Sequence, residues 1–468
     1  MRPITPHTSF AGAVWPAIPS PPAAALLSIL YQLGQTEHCL DAEIEQARRP
    51  QLVGLIRHAS RHSPFWKGRF DAAGINRLIE SGPAIAAAEW SERWLGLPIL
   101  TREEVQELGD DLVIKDLPKG HGHIAEIVSS GSSGRPVRIS RSTLDHLYWQ
   151  AFQLRSHVWR NRDLSGTFLS ILRDEQRPPS SKGVHMRRLG DWGAPVATVW
   201  PTGPSVLLDY RASIADLITA IREISPDYIC TFPSLLLEIL RVARDGDLAL
   251  PKVKEVITVS EACPPELREL CREVLGAEMS SSYSAAECGG IATQCQAGTW
   301  HAQSERMVVE ILDNGGSPCT PGTTGRVILT PLQNFAMPLF RYEIGDLATV
   351  GSGLCECGRK LPVIADIPGR ARDLVMLPSG EMRPPYYGHN AVMDVRSIRQ
   401  HQVVQTSPIN ICLRLVVANA LTREEERFII SKVDAALEGA FQISIEYVES
   451  IQRQASGKYA EFERAFSP

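Results

Sequence analysis

Apolar residues in the first quarter of the chain recur at helical spacing. In "DAEIEQARRPQLVGLIRHASRHSPFWKGRF" (41–70) the pattern predicts a helix that breaks at "HSPFW". "LPILTREEVQEL" puts Thr101 at a helix start with Glu104 three residues on, a capping-box pattern. Residues 1 to about 125 therefore read as mainly helical. From about 124 to 345 the periodicity switches back and forth. "HIAEIVSS" reads as a strand and "STLDHLYWQAFQLRSHVW" as a helix capped by Ser142. "SIADLITAIREISPDYICTFPSLLLEILRVARDG" reads as helix, short strand, helix. "KEVITVS" and "GRVILTPL" read as strands, and "PPELRELCREVLG" as a helix ending at Gly276. Such alternation predicts an α/β fold with buried, mixed sheets.

The last hundred residues restart the pattern. "INICLRLVVANA" alternates like a strand, "TREEERFIISKVDAALEGA" is an amphipathic helix capped by Thr422, and "QISIEYVESI" reads as the final strand. The expectation is a large N-terminal domain over 1–371 and a small α+β domain over 372–468, joined through "PGRARDLVMLPSGEMRPP".

Composition narrows the classes. The chain has 468 residues, 44% of them hydrophobic, enough for two or three domains. Lys and Arg total 48 against 53 Asp and Glu, a net charge of −5 with no long basic run, which argues against nucleic acid as a partner. No uncharged apolar run approaches the roughly 20 residues that span a bilayer. The apolar patch at 23–30 is broken up by prolines and lacks a basic lead, so it reads as the entry to a helix rather than a signal peptide. Ten cysteines in a chain this long do not make a disulfide scaffold; a reducing, cytoplasmic location is expected.

The chemistry begins at "IVSSGSSGRPVRIS" (127–140), read as a loop that follows a strand and precedes a helix. Glycines let a backbone approach an anion closely, and serine hydroxyls and exposed N–H groups supply donors. No Gly-Lys-Ser/Thr follows, so it is not the Walker pattern, and alone it fits an ordinary Ser/Gly turn equally well. Four further stretches follow in order: "SSYSAAECGG" (281–290), "PLFRYEIGDLA" (338–348), "PGRARDLVML" (368–377) and "QASGKYAEFE" (454–463).

This ordered series resembles the adenylate-forming superfamily of acyl- and aryl-CoA synthetases, from about residue 98 to 460. Their pattern runs SSGTTGxP, YGxTE, RYxTGD, GRxDD and a late Gly-Lys. "CECGRKLP" before "PGRARD", the helical N-terminus and "PDYICTFPSLLLEI" look most like the phenylacetate–CoA ligase and capsule-biosynthesis-type (CapK-like) branch. The resemblance implies roles. Ser129, Ser130, Gly131, Ser132, Ser133 and Gly134 would wrap the ATP phosphates. Tyr283 would lie on adenine, as a flat ring suits a flat base. Glu287 would hold Mg²⁺, a hard cation that takes carboxylate oxygen. Asp346 would accept from the ribose hydroxyls, and Arg370, Ser260 and Glu261 join the nucleotide-binding set. Lys458 would meet the charge that builds as pyrophosphate leaves. Arg372 and Asp373 would be the hinge about which the small domain turns. Singly, each residue also fits a turn or a solvated surface.

The sequence departs from the pattern in places. Ser132 and Ser133 replace threonines, Ala286 stands where a threonine precedes the glutamate, Ile344 replaces a threonine, and Arg372 replaces an acid. The carboxylates and the lysine are kept.

A second constellation is Cys295 and His301 in "CQAGTWH" with Cys355 and Cys357 in "CECG". Cys₃His is a closed structural zinc set, although Cys-x-Cys is tight and reduced side chains packed in turns remain open at this point. Members of the resembled branch carry zinc on a matching set, which implies a structural Zn²⁺ here; Cys288 is the alternative ligand. His121 and His123 read as part of a polar loop, and the remaining cysteines as small core residues.

The acid pocket is the least readable part. Tyr148, Trp149, Trp192, Thr202, Gly203 and Pro204 are its candidates, though a core strand and its turns would look the same. The expected function is ATP-dependent activation of a carboxylic acid, aryl or arylacetic by family habit, followed by transfer to coenzyme A. A carrier-protein thiol or an amine as acceptor, or a nucleotide-binding protein without catalysis, are the alternatives. A homodimer is left open.

Overall fold

The computed structural model describes residues 5–13, 15–80, 87–128, 137–177, 183–263, 266–353, 355–370, 375–380, 382–383, 392, 395, 397–437, 439, 441–452 and 462–466. The chain is an α/β protein that divides into two compact units, residues 1–166, 189–205 and 281–367 in one and 167–188, 206–280 and 368–468 in the other. No helix among the described residues is long and apolar enough to cross a membrane.

The first unit opens with α1 (Pro21–Thr36), α2 (Asp41–His62), α3 (Pro64–Ala72), α4 (Ile75–Glu80), α5 (Ala87–Leu95) and α6 (Arg102–Leu108), the helical lead-in that the periodicity predicts. Helix α2 runs through Pro50 and buries Leu52, Leu55, Ile56 and Ala59 on one face. It ends where Ser63 caps α3 by accepting from the Trp66 N–H. Trp66 stacks on Phe70 and meets Phe340 edge-on, seating these helices on the strands beyond. Thr101 and Glu104 form the expected capping box at α6.

Strands β1 (Ile124–Val128) and β2 (Arg138–Ser142) pair antiparallel. The sequence reading had the serine-rich loop leading into a helix; β2 intervenes, and α7 (Thr143–Trp159) follows it, capped by Ser142. The short helix α8 is Val196–Val199.

The sheet of this unit sets β11 (Met307–Leu312), β12 (Thr324–Pro331), β13 (Tyr342–Val350), β14 (Val363–Arg370), β10 (Trp300–Ala302), β9 (Gly289–Gln294) and β8 (Glu278–Ala285) side by side in that order. Leu100 donates to the Arg341 carbonyl and accepts from the Glu343 N–H, so the start of α6 is stitched to β13.

The second unit holds a sheet ordered β7 (Glu255–Val259), β6 (Tyr228–Thr231), β3 (Phe168–Leu172), β5 (Ser205–Asp209), β4 (Met186–Leu189). β3, β6 and β7 are parallel, linked through α9 (Ile214–Ile224) and α10 (Pro233–Asp245), with α11 (Leu267–Leu275) following β7. Their nearly unbroken apolar runs suit strands covered on both faces. The same unit carries the hairpin β15 (Val375–Met376) and β16 (Met382–Arg383) and a four-stranded sheet. In that sheet β17 (Ile398–Ser407) and β18 (Asn410–Val417) are antiparallel. Helix α12 (Arg423–Ala436) leads to β19 (Gln442–Tyr447), parallel to β18. β19 is not the last strand: β20 (Phe462–Arg464) adds in parallel beside β17. Three residues are too few for alternation to reveal. This sheet has its own core, including Val403, Leu413, Ile429, Val433 and Phe462.

Candidate active site and metal centre

Two strands bring the nucleotide candidates together. In β8 Tyr283 faces Ala292 of β9, is buried, and packs its ring edge-on against Trp300. Its hydroxyl donates to Asp346 Oδ2 at 2.9 Å. Asp346 sits in a bulge: Arg326 pairs with Leu347 but Ile328 pairs with Glu343, so β13 carries extra residues there. Gly345 takes φ 81° inside the bulge, a conformation that favours glycine. Bulges re-aim side chains, and this one presents a carboxylate to the ring that the resemblance sets on adenine.

Glu287 lies in the β8–β9 turn and is buried. Arg102, at the start of α6, donates from Nη1 to Glu287 Oε1 at 2.7 Å. The backbone around Glu287 is also held. Arg141 Nη2 donates to the Ala286 carbonyl at 2.8 Å, and Arg306 Nη2 to the Cys288 carbonyl at 3.3 Å. Asp145 bridges the two arginines, 3.5 Å from Arg141 Nε and 3.1 Å from Arg306 Nη2. Next in the turn, Gly289 has φ 81°, and a Cβ there would stand 2.9 Å from Arg306 Nη2 and 3.2 Å from Trp149 Cδ1. The sequence reading missed Arg102, Arg141, Asp145 and Arg306. Arg102 had the signal of an arginine following the Thr101 cap, and Arg141 and Asp145 that of an Arg-Ser-x-x-Asp at the head of α7; Arg306 had none.

Of the remaining candidates, Ser129, Ser130, Gly131, Ser132, Ser133, Gly134, Arg372, Asp373 and Lys458 lie outside the described residues. Ser260, Glu261 and Arg370 belong to the second unit. Ser260 is exposed with φ 71°, Glu261 Oε2 accepts from the Ser234 N–H at 3.0 Å, and Arg370 is half-buried at the end of β14. Tyr148 and Trp149 are half-buried on α7, where Trp149 stacks with His146. Trp192, Thr202 and Gly203 form a knot. Trp192 N–H donates to Thr202 Oγ1, the Trp192 indole to the Gly166 carbonyl, and Gly203 N–H to the Leu164 carbonyl. Pro204 beside them is exposed. Arg341, part of the third motif, donates to the carbonyls of Leu95 and Leu97 and pairs with Glu310, which ties α5 to the sheet. His121 packs against Phe335, whose carbonyl is bonded to His58.

The four zinc candidates converge. The ligating atoms of Cys295, His301, Cys355 and Cys357 all lie within 4.8 Å of one another. Cys295 Sγ is 3.6 Å from Cys355 Sγ, and Cys357 Sγ is 3.4 Å from His301 Nε2. Tetrahedral zinc with Zn–S near 2.3 Å would separate two sulfurs by about 3.8 Å, so the donor set fits that ion. His301 Nδ1 lies 3.3 Å from the Leu361 carbonyl, the usual arrangement that leaves Nε2 to face a metal. Burial pushes the Cys295 thiol up to about 11. Burial acts the same way on Cys355, yet hydrogen bonds with Thr299 and Cys357 hold it below the ordinary thiol value. Trp159 meets His301 edge-on and carries Arg359 over its face at 4.3 Å, while its indole donates to Glu37. The loop between α1 and α2 thus closes the centre from outside. Cys288, the alternative ligand, is buried beside Glu287 and is not in this group.

The fold is that of the adenylate-forming enzymes: a solved structure of 2-hydroxyisobutyryl-CoA ligase in its postadenylation state, with 2-HIB-AMP, superposes with TM-score 0.68 at 18% identity, covering 91% of this chain and 90% of that one. The family model described as CapK C-terminal domain matches residues 386–462. Phenylacetate-coenzyme A ligase from Thermus thermophilus is 26% identical over 168 residues, 34% of this chain and 38% of that protein. Phenylacetate-coenzyme A ligase from Escherichia coli is 23% identical over 347 residues, 72% of this chain and 73% of that protein. The chain is thus similar over most of its length to phenylacetate-coenzyme A ligases, and its residues 386–462 match the CapK C-terminal domain.

Proposed function

We propose that the protein is an AMP-forming acid–thiol ligase, which activates a carboxylic acid with ATP and passes the acyl group to coenzyme A. The observation that carries this reading is the meeting of Tyr283 and Asp346 in one hydrogen bond between β8 and β13, with Tyr283 on the strand that leads into the turn bearing Glu287. Tyr283 would stack on adenine while Asp346 accepts from ribose hydroxyls, and the 2.9 Å bond holds both groups in mutual register. Mg²⁺ held by Glu287 would supply positive charge to the phosphates. Ser129 to Gly134 would give them backbone and hydroxyl donors, and Lys458 would balance charge at the α-phosphate as the carboxylate attacks and pyrophosphate departs. Arg370, Ser260 and Glu261 complete the proposed nucleotide set.

After adenylation the thiol displaces AMP; we assign residues 372–468 as the domain that moves between the steps and Arg372–Asp373 as its hinge. Tyr148 and Trp149 are the leading acid-pocket residues, with Trp192, Thr202, Gly203 and Pro204 a further wall. An arylacetic or aryl acid is the expected substrate class. We assign Cys295, His301, Cys355 and Cys357 to a structural Zn²⁺ whose four protein ligands leave no open position, and a reducing cytoplasm suits its thiolates.

ATP–pyrophosphate exchange across a panel of carboxylic acids tests the reading. Exchange dependent on one acid class is expected; none with any acid, from zinc-replete protein, would leave a nucleotide-binding protein without catalysis. Mass identification of the product from coenzyme A, carrier protein and amines fixes the acceptor.

A further inference from the structure

We propose that Arg141, Arg306 and Asp145 are positioning residues for Glu287, clamping the carbonyls of the residues on both sides of it so that its carboxylate is aimed before a metal–nucleotide complex arrives. The inference rests on Glu287 as the metal-holding carboxylate.

Three observations carry it. The contacts are symmetrical about one residue: the carbonyl before Glu287 accepts from Arg141 and the carbonyl after it from Arg306. Arg141 thus holds the peptide entering Glu287, the Cys288 N–H bond to the Ala285 carbonyl holds the one leaving it, and Arg306 holds the next peptide along, so the turn about Glu287 loses much of its freedom to rotate.

The clamp is expensive to bury. Arg306 and Asp145 are each 1% exposed and Arg141 6%. Among the described residues Arg306 Nε and Nη1 have no hydrogen-bond partner, and Arg141 Nε and Asp145 Oδ2 meet only each other, as a 3.5 Å ion pair. Buried donors left unmatched cost free energy, and a buried ion triad is commonly no more stable than apolar residues of the same volume. Stability alone does not account for two guanidinium groups around a single carboxylate. Fixed geometry at the neighbouring turn does, because a ligand held in place beforehand does not have to be ordered on binding.

The clamp also has a direction. The Asp145 N–H donates to the Ser142 cap hydroxyl, and Arg141 is the next-to-last residue of β2, so both stand at the strand–helix junction that follows the serine-rich loop. Through them the segment after the proposed phosphate loop is joined to the proposed metal carboxylate. Gly289 is the complement. Any side chain there would push into Arg306.

The test separates metal-dependent from metal-free ATP binding by titration calorimetry on full-length protein, with Mn²⁺·ATP and with ATP in chelator. In Arg306→Lys and Arg141→Lys, which keep the charge but lose the fork, the affinity gained on adding Mn²⁺ should fall about tenfold, while metal-free binding stays within about twofold. Glu287→Gln should abolish that gain. A gain unchanged in both lysine variants, with Glu287→Gln losing it, overturns the clamp and leaves the role of Glu287 intact. Equal weakening of both binding modes together with a lowered Tm would mean a merely structural role and also overturns it. No Mn²⁺ gain in the wild type, or a gain that survives Glu287→Gln, removes the reading of Glu287 and the clamp with it. Should the lysine variants not fold, Asp145→Asn, which keeps volume, takes their place: a partial loss of the gain is expected, and a wild-type gain overturns the proposal.

Discussion

Arg102 and Glu287, 185 positions apart, form a 2.7 Å ion pair with both side chains largely out of solvent. Removing one partner of such a pair leaves a poorly hydrated charge. Arg102→Met should lower stability by about 2–3 kcal/mol, while Arg102→Met/Glu287→Gln should recover most of it. Urea unfolding of the four proteins of the cycle measures the coupling. Additive losses would show that the pair is not energetically linked.

Tyr283→Phe removes only the hydroxyl that bonds to Asp346. The ring keeps its place against Trp300. ATP affinity should therefore fall modestly, by about 1 kcal/mol, with little change in Tm. Tyr283→Ala should cost far more in both. Calorimetric titration with ATP and a thermal melt check the split.

Purified protein should contain about one zinc per chain by elemental analysis, with Cys355→Ser and Cys357→Ser losing it. Strong chelators should lower the unfolding temperature of the wild type and leave the serine variants unmoved. Absence of metal from wild-type protein grown with ample zinc would dismiss the assignment.

Lys458→Ala should reduce acid-dependent pyrophosphate exchange by roughly 10²–10³-fold, the usual loss for a group that meets developing charge. Folding should be untouched. Full exchange in that variant would refute the role.

Acid should act on a separate site in the second unit. Asp209 is fully buried; burial raises its carboxyl, but bonds from Arg211, the Asp174 N–H and Arg177 outweigh this and hold it well below the usual carboxylate range. A depressed folded-state value means stability fully present above the unfolded pKa of about 3.9, and lost as pH falls through the folded one. Asp209→Asn should be about 3 kcal/mol less stable at pH 7. The gap between variant and wild type should narrow as the pH is lowered below about 4. Denaturant midpoints across pH 2 to 7 measure it.

The helical lead-in, strands β6 and β7 and three caps were legible in the chain because each depends on neighbours in sequence. Thr101, Ser142 and Thr422 bond within three residues, so local pattern was enough. The nucleotide candidates Tyr283, Glu287 and Asp346 and the four zinc candidates were legible through motifs. What was hidden depends on contacts between distant segments. Arg102 and Arg306 look like ordinary surface cations until the fold sets one on Glu287 and the other on the carbonyl beside it. The bulge at Gly345 is a register change between strands, and no single-strand pattern reports it. β2 was missed because its five residues, RISRS, carry one apolar side chain among polar ones and show no alternation of their own.

Across the sheet, Ser282 pairs with Thr293 and Thr293 with His301, while the next row runs from Tyr283 through Ala292 to Ala302. The proposed adenine platform and the proposed zinc imidazole are therefore counted off on one ruler, in adjacent rows of the same three strands. A chain that closed this hairpin one residue out of step would spoil both at once, since each side chain would change face. In an expression culture starved of metal, total protein would then overstate the number of working sites, and zinc content would be the truer measure of them.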